Sequence, residues 1–483
     1  MSQQALLAPY QSLGEKNIVP AYTRYENPSR QNVVIARDKV SFVPTSGSSY
    51  TVGGTSGNSN QISFLLSDAS RFIDLPTAAL CFDYVLTRTD TPNNSTAAVL
   101  PTDNAVSLFN RVQVKLNGIL LEDIVNLNVA FNSRMQTNMN KDFYEANMDN
   151  LAGSWVYNQH YGGAQVSPVD VATRLGNAIR TQYNGTFNNS GGAAAATISR
   201  SFAVPLGFLS GLFQLQKLLP LPLMNTLEIN CYFDNILNSH YAPTAPAANA
   251  ISFTLTNVRI MADLCEMRAD YGQLMKQICY NDDSGLNIAF DTTQAFQLNY
   301  AATNNTTSNL QLVFNKASPF VRSVLCSKSR STDIGNIQAM YPLNFLNGGN
   351  KGVRISVGSI YNPLFGSTEN NAITYAMTKS GDLQNVISGG LQNASTYSGV
   401  SWDAGTSTLT NDSLLANFTF QFDFDKLTNG EVEKDGLDSS ALGSAFVVYV
   451  NETPKATESR ILNVFIHYTR HLSMRGGVLS CSG

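Results

Sequence analysis

Apolar and polar residues alternate in short runs along most of this chain, and the period is that of β-strands. The clearest run is Leu227–Phe233. Leu227, Ile229, Cys231 and Phe233 fall on one face, and Glu228, Asn230 and Tyr232 on the other, as in a half-buried strand. This run closes an apolar block, Phe202–Phe233. Within it Pro205 stops a first short run, and Gly207–Phe213 has room for one or two helical turns. Pro220 and Pro222 stiffen Leu218–Leu223, because each fixes φ and removes a backbone donor. A bilayer span takes about 20 continuous apolar residues, so this broken block predicts a core corner of a β protein.

The same alternation predicts strands at Ile62–Leu66 and Phe72–Thr87, the second with Leu80, Phe82, Tyr84 and Leu86 on one face. Phe109–Leu121 reads as strand, turn and return, since Asn117-Gly118 supplies the positive φ of a tight hairpin. Ile124–Thr137 predicts a short helix and Ile251–Met261 a strand. At Arg268–Tyr280 the period changes, with Tyr271, Leu274, Met275 and Ile278 along one helical face. Asn281–Gly285 ends that helix. Beyond it, strands are expected at Leu286–Phe290, Phe296–Tyr300, Leu310–Phe314 and Val321–Cys326. Four more follow at Val353–Val357, Phe418–Phe424, Phe446–Val450 and Leu462–Leu472.

Four stretches lack any period. Met1–Val34 reads as an extended arm, and Gly153–Ala196, Gly366–Thr410 and Leu427–Gly443 as exposed loops. Roughly eight strands on each side of one linker helix, with long returns and no repeat of about 40 residues, favour two jelly rolls over a propeller. The expected fold is therefore all-β, two consecutive eight-stranded jelly rolls. Residues 1–40 are the N-terminal arm, 41–265 the first roll, 266–284 the linker helix and 285–483 the second roll.

Composition narrows the function. Only 14% of the residues are charged, the net charge is −4 and aromatics make up 10%. That balance offers no basic field to neutralise nucleic acid. The first 40 residues hold five Lys/Arg against three acids, a slight excess. The opening MSQQALLAPY lacks the charged-then-apolar order of a signal peptide. The six cysteines are far apart, with Cys81, Cys231 and Cys326 in strand-like runs. Free buried thiols fit that spacing better than a disulfide framework.

Each candidate for chemistry meets a plainer reading. His467 and His471 have the i, i+4 spacing that holds a metal on a helix, but they sit in an alternating strand. Four residues there span about 13 Å, too far for two ligands of one ion, so both are expected to face solvent. Asp423 and Asp425 share a face opposite Phe418, Phe420, Phe422 and Phe424. Their spacing of about 7 Å suits a glycosidase carboxylate pair, and equally the polar side of any half-buried strand. Asp282-Asp283 lacks the ligand series of a calcium loop. Gly348–Gly352 lacks GxxxxGK[ST] and reads as a hairpin turn. Asn-x-Ser/Thr triplets at Asn184, Asn393, Asn417 and Asn451 arise by chance in so Asn/Ser/Thr-rich a chain. No catalytic, cofactor-binding or metal site is expected, and no enzyme.

Several stretches, in order, carry a resemblance. FNRVQVKLNGILLEDI (Phe109–Ile124), the Phe202–Phe233 corner and the helix at Arg268–Tyr280 cover the first half. RISVGSIYNP (Arg354–Pro363), FTFQFDFDK (Phe418–Lys426), DGLDSSALGSAFVVYV (Asp435–Val450) and RHLSMRGGVLS (Arg470–Ser480) cover the second. Together they resemble the double jelly-roll major capsid proteins of double-stranded DNA viruses, in the branch of polinton-like viruses and virophages. The resemblance implies a virion protein made in the host cytoplasm or nucleus. It implies a homotrimer whose six rolls form a pseudo-hexagonal, hexon-like capsomer of an icosahedral capsid. Neighbouring capsomers, penton and minor capsid proteins would be its partners. No sequence-specific contact with nucleic acid is implied, and a membrane beneath the shell is left open. Two rivals remain. A carbohydrate-binding adhesin or fibre would use an exposed aromatic platform, for which Trp155 and Trp402 are the only tryptophans. A β-sandwich glycoside hydrolase would use Asp423 and Asp425.

Overall fold

The structure is a computed structural model. It describes residues 33–55, 58–90, 104–138, 184–185, 196–240, 246–280, 285–337, 350–358, 360–367, 400–403, 408–411, 419–424, 436–443, 445–454 and 457–483. The first half begins with β1 (Val34–Phe42), β2 (Tyr50–Gly53), β3 (Gln61–Leu66) and β4 (Phe72–Arg88). Next come β5 (Phe109–Leu116), β6 (Ile119–Val125), α1 (Leu127–Asn138), β7 (Asn184–Gly185) and β8 (Ala196–Pro205). After two short 3-10 turns, β9 (Leu218–Leu219), α2 (Leu221–Met224), β10 (Leu227–Phe233), α3 (Ile236–Ser239) and β11 (Ile251–Met267) complete this half. Helix α4 (Ala269–Tyr280) leads to the second half. There β12 (Leu286–Ala302), β13 (Ser308–Asn315), β14 (Val321–Arg330), β15 (Asn350–Val357) and β16 (Ile360–Ser367) come first. They are followed by β17 (Val400–Asp403), β18 (Thr408–Asn411), β19 (Thr419–Asp423), β20 (Ala445–Glu452), β21 (Glu458–Arg475) and β22 (Val478–Ser482).

The two halves follow one plan. In the first, one sheet runs β1-β11-β4-β8-β7, with β2 also on β11 and β9 on β4, and faces a sheet β3-β10-β5-β6. In the second, β12-β21-β14-β19, with β22 beside β21, faces β13-β20-β15-β16. In each half the last long strand, β11 or β21, returns between the first strand and the middle one. The strand before it, β10 or β20, returns in the opposite sheet. Such nested returns make a jelly roll, and all pairings between these strands are antiparallel. β17 and β18 form a separate hairpin.

Alternation explains the cores. Along β4, Leu80, Phe82, Tyr84 and Leu86 are buried against Phe253, Leu255 and Ile260 of β11 and against Ile62, Phe64, Val112 and Ile229 of the facing sheet. In the second roll, Val324, Phe420, Phe422, Val464 and Ile466 meet Val353, Ile355, Phe446 and Val448. Each such side chain contributes about 1.5–3 kcal/mol by leaving water. The first core does not end at its own roll. Ile288 and Phe290 of β12 and Leu472 of β21 belong to it, so the rolls are fused by shared apolar packing.

The hairpin between β5 and β6 turns at Asn117 (φ 48°) and Gly118 (φ 80°), as the Asn-Gly pair predicts. The Phe202–Phe233 corner is present too: β8 ends at Pro205, 3-10 turns occupy Leu206–Phe208 and Gly211–Gln214, and β10 follows. Other expectations need correction. Leu286–Phe290 and Phe296–Tyr300 are one strand, because the Asp291–Gln294 backbone stays in register with β21 despite its polar side chains. Residues 34–40 of the expected arm are strand, paired with the end of β11. The hairpin β17–β18 lies inside a stretch read as loop. Most of Gly153–Ala196, Gly366–Thr410 and Leu427–Gly443 lies outside the described residues. Helix α4 forms where expected, but its apolar face is not a core face: Cys279 alone is buried and Leu274 is 50% exposed.

One end of the second roll is closed by charge. Lys328 (β14) lies 2.7 Å from Glu452 (β20), bridging the two sheets, and Arg460 (β21) lies 3.3 Å from the same carboxylate. Arg460 and Arg330 both reach Glu458, at 2.5 and 2.8 Å. Lys328, Glu452 and Arg460 are at most 2% exposed. Burial alone would raise the Glu452 pKa, but Lys328 and then Arg460 hold it below the ordinary value of 4.5.

Two predictions follow from this packing. A Cβ on Gly211 would stand 1.6 Å from the Asp291 carbonyl oxygen of β12, whereas one on Gly272 of α4 would meet nothing within 4 Å. Gly211→Ala should therefore cost on the order of 3 kcal/mol in urea unfolding, and Gly272→Ala should gain about 0.4–1 kcal/mol; equal effects would sink the close-approach account. For Glu452, a depressed folded-state pKa contributes stability above about pH 4.5 that is lost as pH falls through the folded value. Glu452→Gln should cost about 3–5 kcal/mol at pH 7. Its stability should also fall less than the native protein's on acidification below pH 4.5, read from unfolding curves at several pH values.

Candidate functional site

The sequence singled out His467 and His471 as solvent-facing, and the structure corrects this. The outer face of the β12-β21-β14-β19 sheet is covered by the first roll, which strand alternation cannot reveal. α1 lies on it, with Val129 and Ala130 packed against Leu325 and Phe465. His467 is bonded through Nδ1 to the Thr293 hydroxyl at 2.8 Å, and its Nε2 is buried without a partner. Burial, and then the Arg134 guanidinium, push its imidazole down to about 3, so it is neutral at physiological pH. His471 packs on the Phe320 ring at 5.5 Å. The two do not converge on an ion. Among the described residues, no three His, Cys, Asp or Glu side chains group as a metal site.

Of the carboxylate pair, Asp423 is in β19 opposite Ser323 and Asp425 lies outside the described residues. Phe420 and Phe422 are fully buried, as the alternation requires. Asp282, Asp283, Gly348, Gly349, Trp155, Asn393 and Asn417 also lie outside them. Asn451 is an exposed residue of β20, and Trp402 belongs to β17. All six cysteines are free, and burial raises the Cys231 thiol to about 12, which leaves it inert.

The densest polar chemistry is at the joint between the rolls, and the sequence did not point to it. Glu122 of β6 is fully buried. Its carboxylate accepts hydrogen bonds from the Ser210 hydroxyl and from the backbone N–H groups of Gly211 at 3.1 Å and Leu212 at 3.3 Å. Burial pushes Glu122 above its ordinary pKa, and these donors offset part of that rise. Arg470 of β21 donates to the Leu121 carbonyl across the joint, and Ser133 of α1 donates to Ser327 of β14 at 3.2 Å.

Beside these contacts is a cavity of about 260 Å³, walled by α1, the 3-10 corner and the outer face of the second-roll sheet. Arg134, Asp291, Thr293, Arg322, Gln421 and His467 supply its polar lining. Arg322 donates to Asp291 at 2.9 Å, and Asp291 also accepts from the Thr469 hydroxyl at 2.7 Å. The cavity is smaller than the 300–1,000 Å³ typical of a ligand pocket. Its groups bond to one another, as interdomain polar contacts do. His240, also missed, is a core residue: its Nε2 lies 2.6 Å from the Tyr84 hydroxyl and its ring stacks on Phe253 at 5.3 Å. At this joint, buried polar groups hold the two rolls together; a second cavity, of about 930 Å³, is lined by Arg111, Tyr232, Asp234, Asn235 and Ile337 among others.

No family model matches the chain, and no curated protein does. Solved structures match it along nearly its whole length. PBCV-1 VP54, fitted into a cryo-EM reconstruction of the virophage Sputnik, superposes with a TM-score of 0.56 at 12% identity, over 95% of this chain and 99% of that one. A chain of the Sputnik virophage structure gives 0.56 at 13% identity, over 96% and 92%. The Faustovirus major capsid protein gives 0.55 at 10%, over 98% and 97%. Identity this low speaks for the fold alone, and it agrees with the strand orders: the chain is a double jelly roll.

Proposed function

We propose that this chain is a major capsid protein of an icosahedral double-stranded DNA virus, a structural subunit and not an enzyme, built to tile with copies of itself. The observation that carries the reading is the end-to-end correspondence with virion proteins, over at least 95% of this chain and 92% of theirs. In this reading the chain divides into an arm, a first roll, a linker helix and a second roll. Three chains place six rolls around one axis as a trimeric pseudo-hexagonal capsomer. Its partners are then neighbouring capsomers, pentons and minor capsid proteins, and its place is the virion.

The physical chemistry is compatible. Two rolls fused by a shared core act as one rigid tile, as a shell under stress requires. A net charge of −4 gives no grip on the genome. Single exposed apolar residues such as Val313, 60% exposed, and Val43, 71% exposed, supply apolar contacts for a neighbouring copy. Obligate interfaces between such copies bury well above about 2,000 Å².

The test is the state of the purified chain in solution. Light scattering after size exclusion should give a particle of about three times the 52.4 kDa chain mass, and negative-stain images should show a six-lobed outline. A stable monomer at micromolar concentration would overturn the proposal.

A further inference from the structure

The two rolls share one plan, yet the outer faces of their large sheets differ. In the second roll the outward residues of β14 and β21 are sealed: Leu325, Ser327, Asn463 and Phe465 are fully buried. The first roll seals them, with Val129 and Ala130 of α1 against Leu325 and Phe465, and the Ser133 hydroxyl on Ser327. Beside them the corner at Gly211 comes onto the Asp291 backbone of β12. The strand orders match β4 to β14, β11 to β21 and β8 to β19. The matching outward residues of the first roll are open. Cys81, Asp83 and Val85 of β4 alternate with the buried Phe82, Tyr84 and Leu86 but are themselves only half-buried. Their cross-strand neighbours Ala203 and Ser201 of β8 and Arg259 of β11 are exposed.

We propose that this outer face of the first roll, centred on Val85, seats the second roll of another copy of the chain. The inference rests on the capsid reading and says which surface joins the copies. Within one chain the contact between rolls is head to tail. The first roll gives α1 and the Phe202–Phe233 corner, and the second gives the outer face of its large sheet. Each chain therefore keeps one such face unused, on its first roll. Head-to-tail contacts repeated between copies close into a ring where the rotation allows, and three chains bring six rolls to it. The chemistry of the face suits burial. Its side chains are mostly small, and the Asp83 carboxylate already accepts from Ser201 and Asn257, so covering it leaves no polar group newly stranded. Ser327, Asn463 and Thr469, sealed on the matching face of the second roll, are of the same small polar kind.

A photo-crosslinking amino acid at position 85 of the full-length chain tests this. Mass spectrometry should find crosslinks to peptides from residues 286–483, and mixing isotopically light and heavy chains should show them to join two copies. The variant Val85→Arg/Ala203→Arg supplies the second readout. Two charges set into a dry contact should weaken association about a hundredfold in a light-scattering dilution series, while hydrogen exchange in β10 and β20 stays as in the native chain. A native trimer whose crosslinks from position 85 stay within one chain, reach only first-roll peptides or do not form would overturn this inference and leave the capsid reading standing. So would a folded double variant that associates as tightly as the native chain. A native chain that is monomeric would overturn both.

Discussion

The structure depends on a close approach at the joint between the rolls. The backbone of the Phe202–Phe233 corner comes so near to β12 that the residue at 211 has no space for a side chain. Three donors meet there, the Ser210 hydroxyl and the N–H groups of Gly211 and Leu212, and Glu122 accepts from all three. Each buried donor left without an acceptor costs about 1–3 kcal/mol. One carboxylate therefore decides whether the corner can be buried at all. Burial raises its pKa, and the hydrogen bonds supply what water no longer can. The corner is then free to lay its apolar residues into a core that includes Ile288, Phe290 and Leu472 of the second roll.

The far end of the second roll solves the same problem with ions. Lys328, Glu452 and Arg460 are buried together and cross from one sheet to the other. Such a cluster adds little net stability compared with apolar residues of the same volume, but loss of one member is costly. Its value is in register. β20 and β14 belong to facing sheets, and only one relative placement brings Lys328 to Glu452. The two polar assemblies lie at the two places where apolar packing alone would leave alignment loose: between rolls, and between the sheets of one roll.

Much of the fold was legible because a roll is written locally. Alternation located β3, β4, β5, β10, β13, β20 and most of β21, and Asn117-Gly118 marked its hairpin, because both signals depend on neighbours in sequence. What failed depended on neighbours in space. Asp291–Gln294 read as a break since its side chains are polar, yet a continuous ladder with β21 holds it in strand. His467 read as outward since its strand partners alternate, yet α1 and Arg134 of the other roll cover that face. The α4 face read as ordinary helix amphipathicity, and nothing in the spacing says that Tyr271 meets the Phe72 ring while Leu274 stays half exposed. Glu122, in LNGILLEDI, looks like any charged residue after a hairpin. Its burial is set by Ser210 and Gly211, about 90 residues away, and no local pattern encodes that.

The same distinction accounts for the pattern of likeness to other proteins. The two rolls share one strand order, β12-β21-β14-β19 answering β1-β11-β4-β8, and β13-β20-β15-β16 answering β3-β10-β5-β6. Yet no repeat is visible in the sequence. A jelly roll requires inward apolar residues at every second position and returns of suitable length, and many side chains meet that requirement. Substitution can proceed at each inward site so long as volume and polarity pattern are kept. Between the halves the order of returns persists although the residues differ, and the fold shared with PBCV-1 VP54 at 12% identity is of the same kind. The exceptions are positions such as Gly211 and Glu122. There backbone proximity or a buried charge admits few substitutes, so these two positions constrain the sequence more tightly than any single site of the apolar core.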